Sequence, residues 1–389
     1  MKVVVVIDSF KGSLSSLEAG RRAEEGIKRV DPSATVVVKP LADGGEGTVD
    51  ALTEGMKGKK ETLTVTGPLG APVQCEYGIL EEEKTAIIEM AGAAGLTLIK
   101  KEERNPEQTT TYGVGEVILD AIQKGCRRFI VGIGGSATND GGVGMLKALG
   151  YEFLDETGAS IPDGAIGLRD LSYIKKEKVD PRLKECEFFI ACDVNNPLCG
   201  ERGCSAVYGP QKGADEAMVN RMDLWMQHYA KVVKEVFPQI EEMTPGAGAA
   251  GGLGFAFLAF TNAVLESGIQ IVMKEIRLEE AIKDADLVIT GEGRLDGQTA
   301  MGKAPVGVAK LAKTYHLPVL AFAGSVTKEA KKCNENGIDA YFPILRTIAT
   351  LEEAMDPERA GGNLADTVEQ VMRLYTMENS CENKVDIVQ

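Results

Sequence analysis

Residues Val3 to Ile7 read VVVVI, apolar at every position rather than at alternate ones. Such a strand hides both of its faces, and the usual fold that does so is a parallel sheet covered by helices on each side. The flanking sequence supplies the helices. Ser15 with Glu18 forms an S-x-x-E capping box ahead of an amphipathic stretch over 16–30, and a second apolar strand follows at 34–39. The far end of the chain repeats this grammar, with a strand at 284–291, a helix at 305–316 and a strand at 317–326. Strands alternating with helices predict a doubly wound parallel sheet.

The middle of the chain is written differently. From Leu63 to Met90 the residues alternate and are broken by Gly and Pro turns, the pattern of antiparallel hairpins. Strands follow at 128–133 and 186–192, with a long helix near 214–237. The 389 residues suffice for two cores. The expected architecture is α/β: a doubly wound parallel-sheet domain built from 1–62 and 282–378, interrupted by a mixed-sheet α/β domain over 63–281. A cleft is expected between the two, and 379–389 is expected to be a frayed tail.

A formal charge of −15 argues against nucleic acid or an anionic membrane as partner, although local bases and backbone amides can still hold an anionic substrate. The eight cysteines are scattered with no CxxC pair, and no secretory leader precedes Asp8, so reduced thiols and a cytoplasmic location are expected. His228 and His316 sit in structural contexts, which leaves no basis for a His-centred triad. Cys192, Cys199 and Cys204 lack the partners that a zinc site needs. The stretch from Pro245 to Phe260 is too short and too rich in Gly and Ala to span a membrane. Nothing in this composition speaks against a homo-oligomer.

Five glycine-rich stretches carry the chemistry: PLADGGEGT (40–48), GIGGSATNDGGVG (132–144), YGPQKGA (208–214), PGAGAAGGLG (245–254) and ITGEGRLDGQTAMGKAP (289–305). Glycine lets a backbone turn sharply and lets a ligand reach peptide amides. In FIVGIGGSATNDGGVGMLKALG a strand, a glycine loop and a helix follow one another, an order suited to phosphate at Gly134, Gly135 and Ser136. No GK[ST] follows, and no clean G-x-G-x-x-G is present. Asp8, Asp43, Glu46, Asp140, Asp193, Glu292 and Asp296 lie in or beside these loops, with the bases Lys11, Lys212 and Arg294. Each acid alone fits an Asx turn or a helix cap equally well. Together they form the set that phosphoryl transfer to an alcohol requires: groups that take a proton, hold Mg²⁺ and neutralise phosphate.

The stretches DSFKGS, PLADGGEGT, GIGGSATNDGG, CDVNNPLCGERG, YGPQKGA, PGAGAAGGLG and ADLVITGEGRLDGQT…GKAPVGVA, in this order, resemble those of the type I glycerate kinases over residues 1 to 375. Cys204 and Tyr208 stand where that family usually has Ala and Phe. The resemblance implies ATP-dependent phosphorylation of D-glycerate, usually at the 2-hydroxyl to give 2-phosphoglycerate, on a flavodoxin- or Rossmann-like parallel-sheet domain interrupted by a second, mixed-sheet α/β domain.

From the chemistry of the residues, Asp193 is expected to be the base, with Lys11 and Asp296 also catalytic. Arg294, Asp8 and Asp43 are expected to bind substrate, Arg294 through its carboxylate. Gly134, Gly135, Ser136, Lys212 and Glu292 are expected on the ATP side, and Asp296 and Asp43 at Mg²⁺. Two other readings stay open: a kinase for another small hydroxy acid, and an oxidoreductase or non-catalytic nucleotide binder on a Rossmann-like scaffold. The second needs a dinucleotide fingerprint after the first strand, and DSFKGS does not supply one.

Overall fold

The computed structural model describes residues 1–385 and divides into two compact units, Met1–Asp43 with residues from Val272 onward, and Gly44–Ile271. In the first unit the strands β1 (Lys2–Ile7), β2 (Thr35–Pro40), β3 (Leu287–Leu295), β4 (Val319–Val326) and β5 (Ala340–Pro343) form one sheet in the order 2-1-3-4-5. Every pairing in it is parallel. This is the flavodoxin-like order, which reverses its winding between β1 and β3. The uniform apolarity of β1 is explained by its central place: Val3 through Ile7 are all fully buried.

Helix α1 (Ser16–Val30) begins as its sequence specifies. The Ser15 hydroxyl accepts from Glu18 N, and Ser15 N donates to Glu18 Oε2 at 2.8 Å. Ala19, Ala23 and Ile27, one turn apart, are buried toward the sheet. Helix α2 (Ala304–Thr314) covers β3, the short α3 (Leu351–Met355) is capped by Thr350, and α4 (Pro357–Val385) packs along α1. Because α4 runs to Val385, the stretch 379–385 is helical where fraying was expected; residues 386–389 of that expected tail lie outside the described residues.

The second unit carries a six-stranded mixed sheet in the spatial order Ala263–Glu266, Glu187–Ala191, Arg128–Gly132, Thr85–Glu89, Pro72–Leu80, Lys59–Thr66. Its first four strands are parallel, and the last two form the antiparallel hairpin that the 63–90 pattern predicts. Phe129, Phe188 and Phe257 stack through its core. The first break falls at 43/44 rather than at 62/63. The helix Thr48–Gly55 belongs to the inserted unit because it lies on that unit's strands Lys59–Thr66, Pro72–Leu80 and Thr85–Glu89, and Val49 N donates to Glu89 Oε1 at 2.8 Å. The second break, at 271/272 rather than 281/282, falls inside the helix Gly268–Glu275.

The crossing of α1 and α4 depends on Gly26. A Cβ there would lie 2.4 Å from the Ala365 carbonyl oxygen and 2.9 Å from Val368 Cβ. Gly26→Ala should therefore overpack the crossing and cost about 1–3 kcal/mol, measured as a lower urea midpoint. At Gly362, on the same helix α4, a Cβ would meet nothing within 4 Å. Gly362→Ala should be neutral or stabilise by up to about 1 kcal/mol through helix propensity.

Candidate active site

The sheet order of the first unit places a ligand site at the carboxyl ends of β1 and β3. Asp8 is the first residue beyond β1. Its amide donates to Gly291 O of β3 at 2.8 Å, and its carboxylate accepts from Ser9 N at 2.7 Å. The buried Ser16 fixes a second strand end beside it: its hydroxyl donates to Ile7 O and accepts from Leu41 N, both at 2.7 Å. The segment leading from β2 to Asp43 is thereby tied to the end of β1. On β3 the two-residue period sets Glu292 and Arg294 on one side of the strand. Asp296 follows at the strand's end, and Gly293, between Glu292 and Arg294, lies against the Phe10–Lys11 peptide, where a Cβ would make ordinary contact at 3.4 Å from Phe10 Cα.

Asp8, Asp43, Glu292, Lys11, Arg294 and Lys303 line one cavity of about 440 Å³, all of whose lining residues belong to the first unit. Burial pushes the Asp8 carboxyl up to about 7, reinforced by the negative charges of Asp43 and Glu292; the Ser9 amide and Lys11 pull the other way. Burial also raises Glu292 to about 7. The Thr299 hydroxyl, which donates to its Oε1, and the Lys303 ammonium lower it, while Asp296 and Asp43 raise it. Two carboxyls poised near neutrality face three cations, an arrangement suited to accepting a proton beside a polyanion.

The other expected site residues are distributed as follows. Asp296 lines the same cavity, but its Oδ1 accepts from Gln298 N at 2.8 Å and Thr299 N at 3.2 Å, closing the turn Thr299–Met301. Arg294 is exposed at the cavity and forms no ion pair among the described residues, so a salt bridge to Glu292 or Asp296 does not explain it. Asp193, Gly134, Gly135, Ser136 and Lys212 lie in the second unit. Asp193 is exposed, and its Oδ1 accepts from Gly268 N at 3.1 Å, at the start of the helix Gly268–Glu275.

Lys212, expected on the ATP side, is buried. Its ammonium donates to Ser136 Oγ at 2.8 Å and to Thr138 O at 2.6 Å, and burial lowers its pKa to about 8. It thus clamps the glycine loop from behind, while Gly134 and Gly135 stay exposed at the front. Asp140 fills the helix start that follows this loop. It accepts from Thr111 N and Thr111 Oγ1 at 2.8 Å and from Gly142 N and Gly144 N at 3.1 Å. A protein carboxylate therefore occupies the amides of Gly142 and Gly144, whereas Gly134 and Gly135, the residues expected at phosphate, are not among its donors.

Sequence reasoning missed Lys303. Its signal was the basic residue directly ahead of the helix in GKAPVGVA, where Ala304 and Pro305 open α2. It also missed an apolar end of the cavity, formed by residues far apart in the chain. Among the described residues no three His, Cys, Asp or Glu side chains form a metal-holding group. The donor set still fits Mg²⁺, a hard ion that takes one or two carboxylates and completes its shell with phosphate oxygens and water.

The sequence profile described as the glycerate kinase family matches residues 3–376. The chain belongs to the glycerate kinase family. It is 48% identical over 378 residues to the glycerate 2-kinase of Escherichia coli K12, with 96% of this chain and 99% of that one covered. The glycerate kinase of Halalkalibacterium halodurans is 46% identical, with 93% and 97% covered. A crystal structure described as a glycerate kinase 2 of Salmonella typhimurium LT2 superposes with a TM-score of 0.91 at 44% identity, covering 98% of this chain and 99% of that one. At Tyr208, where the family usually has Phe, the added hydroxyl donates to Asn196 Oδ1 at 2.7 Å.

For this family member the acid cluster has a measurable cost in stability. The folded state holds a proton on Asp8 from about pH 4 to pH 7, where the unfolded chain has released it, so stability falls as pH rises through that window and the loss is complete above it. Asp8→Asn should raise stability by about 2–4 kcal/mol near pH 8, and the gain should shrink toward pH 5. Thermal melts of both proteins at the two pH values test this; a gain independent of pH would show that Asp8 ionises freely in the folded protein.

Proposed function

We propose that this chain transfers the γ-phosphoryl group of ATP to the 2-hydroxyl of D-glycerate, giving 2-phospho-D-glycerate and ADP. The carrying observation is the pair of carboxyls, buried Asp8 and half-buried Glu292, raised to about 7 in a cavity shared with Lys11, Arg294 and Lys303. Support for the substrate comes from the family and from the names of its relatives, and for the 2-position from the Escherichia coli protein's name.

In this mechanism Asp8 takes the proton of the substrate hydroxyl, because its pKa lies near the operating pH. The hydroxyl oxygen then forms its bond to the γ-phosphorus as the bond to the ADP oxygen breaks. Lys11 and Lys303 neutralise the oxygens of the transferred group, and the Arg294 fork holds the glycerate carboxylate. Asp8 replaces Asp193 as the proposed base, since Asp193 is exposed and already accepts the Gly268 amide. Asp43, with the free oxygen of Asp296, would hold Mg²⁺, which when bound offsets phosphate charge. The exposed Gly134 and Gly135 support phosphate approach on the second unit, with Lys212 and Ser136 fixing the loop. The seven cysteines described as free thiols suit a reducing compartment, the cytoplasm.

The activity test is ADP release with D-glycerate beside lactate, tartronate and glycerol, with the product resolved as 2- or 3-phosphoglycerate. Release with D-glycerate alone among these, and the 2-isomer as product, is expected. Asp8→Asn should lower kcat by about 100-fold or more with little change in KM, and Asp193→Asn should lower it far less. The reverse order would return the base to Asp193.

Arg294→Lys keeps the charge and loses the fork. It should raise the KM for glycerate about 10- to 150-fold and the KM for ATP much less. Equal movement of the two constants would remove Arg294 from the carboxylate.

A further inference from the structure

The cavity at the ends of β1 and β3 has two chemically different ends. The side contributed by the β5–α3 loop and α3 is apolar, built from Ile344, Leu345, Leu351, Ala354 and Met355, and Phe10 joins it next to Lys11. Phe10 and Ile344 are buried, whereas Leu345 and Leu351 expose their side chains at the mouth. Among these groups stands Asn363 of α4, a half-buried amide whose side chain has no hydrogen-bond partner among the described residues.

D-Glycerate does not account for this end. A three-carbon acid with two hydroxyls has no apolar plane to bury against such a wall, and a cavity of about 440 Å³ is in the range that encloses drug-sized ligands. The other substrate of the reaction has the missing part. A nucleoside triphosphate joins a flat heteroaromatic base to a polyanion, matching a cavity lined both by apolar side chains with one free amide and by the cations Lys11 and Lys303. Met355 adds a polarizable thioether beside Gly12, where a Cβ would come within 3.0 Å of its methyl carbon.

We infer that the apolar end of this cavity, closed by the β5–α3 loop and the start of α4, seats the base and ribose of the nucleotide, with the Asn363 amide reading the edge of the base. This rests on the reading of the chain as an ATP-dependent kinase. It assigns the nucleoside to the first unit, whereas the glycine-rich loop at 132–144 had been the expected centre of the ATP site.

The test reads ADP binding directly, by calorimetry without glycerate and without turnover, on the full chain. Ala354→Phe fills the apolar end and should weaken ADP binding about tenfold or more, and Asn363→Ala should narrow the preference for ADP over GDP. Thermal melts establish that each variant is folded. Independently of any variant, photolabelling of the wild-type protein with 8-azido-ADP should mark peptides from 341–363. Unchanged ADP affinity in folded Ala354→Phe, labelling confined to 44–271, or a wild-type protein that binds no ADP would each overturn the site. A protein that does not phosphorylate glycerate, yet loses ADP on Ala354→Phe, would overturn the proposed reaction and support the site.

Discussion

The pairing of β1 with β3 is the contact on which the first unit depends. Val3 to Ile7 lie in register with Leu287 to Gly291, so the start of the chain is held by residues that follow the entire inserted unit. Closing so long a loop carries an entropic cost that grows only slowly with length, and the buried valines and isoleucines on both strands offset it. The same register sets the chemistry. Because Ile7 pairs with Gly291, the next residues along each strand are Asp8 and Glu292, and two acids far apart in sequence meet at the sheet's switch point.

Their meeting opposes stability and serves reactivity. A buried carboxyl flanked by two others resists ionisation, and the fold tolerates this because the surrounding elements are over-determined: Ser16 ties two strand ends, the Asp8 amide is held by Gly291, and Thr299 holds Glu292. Lys11 pulls the Asp8 carboxyl down and Lys303 pulls Glu292 down, yet burial keeps both near 7. Lys11, Arg294 and Lys303 are exposed, which leaves their charge available to a polyanionic ligand.

The glycine-rich stretches show how one sequence signal covers two physical roles. In 289–305 the small residues let strand ends approach one another and a cavity open beside them. In 132–144 the glycines also adopt left-handed backbone, at Gly135, Gly141 and Gly142, but the helix start behind them receives the protein's own Asp140, and Lys212 fastens the loop from within. Glycine content reports backbone freedom; the occupant of the amides is decided by which side chain reaches them.

Much of the architecture was legible in the sequence because its signals are local. The unbroken apolar run of β1, the Ser15 and Glu18 box, the hairpin alternation after Leu63 and the order of strand and helix each follow from neighbouring residues. The acids and bases of the site could be named for the same reason, since they stand at the ends of apolar strands. Their grouping could not be read there. Whether Asp140 caps a helix or binds a ligand, whether Lys212 faces solvent or the core, and whether the helix Thr48–Gly55 belongs with the strands before or after it depend on contacts between distant segments. The sequence by itself determined the elements and the inventory of reactive groups. Tertiary structure alone decided which groups share a cavity and which carboxyls are pushed toward neutrality, because burial and charge proximity belong to the packed chain and not to any one segment of it.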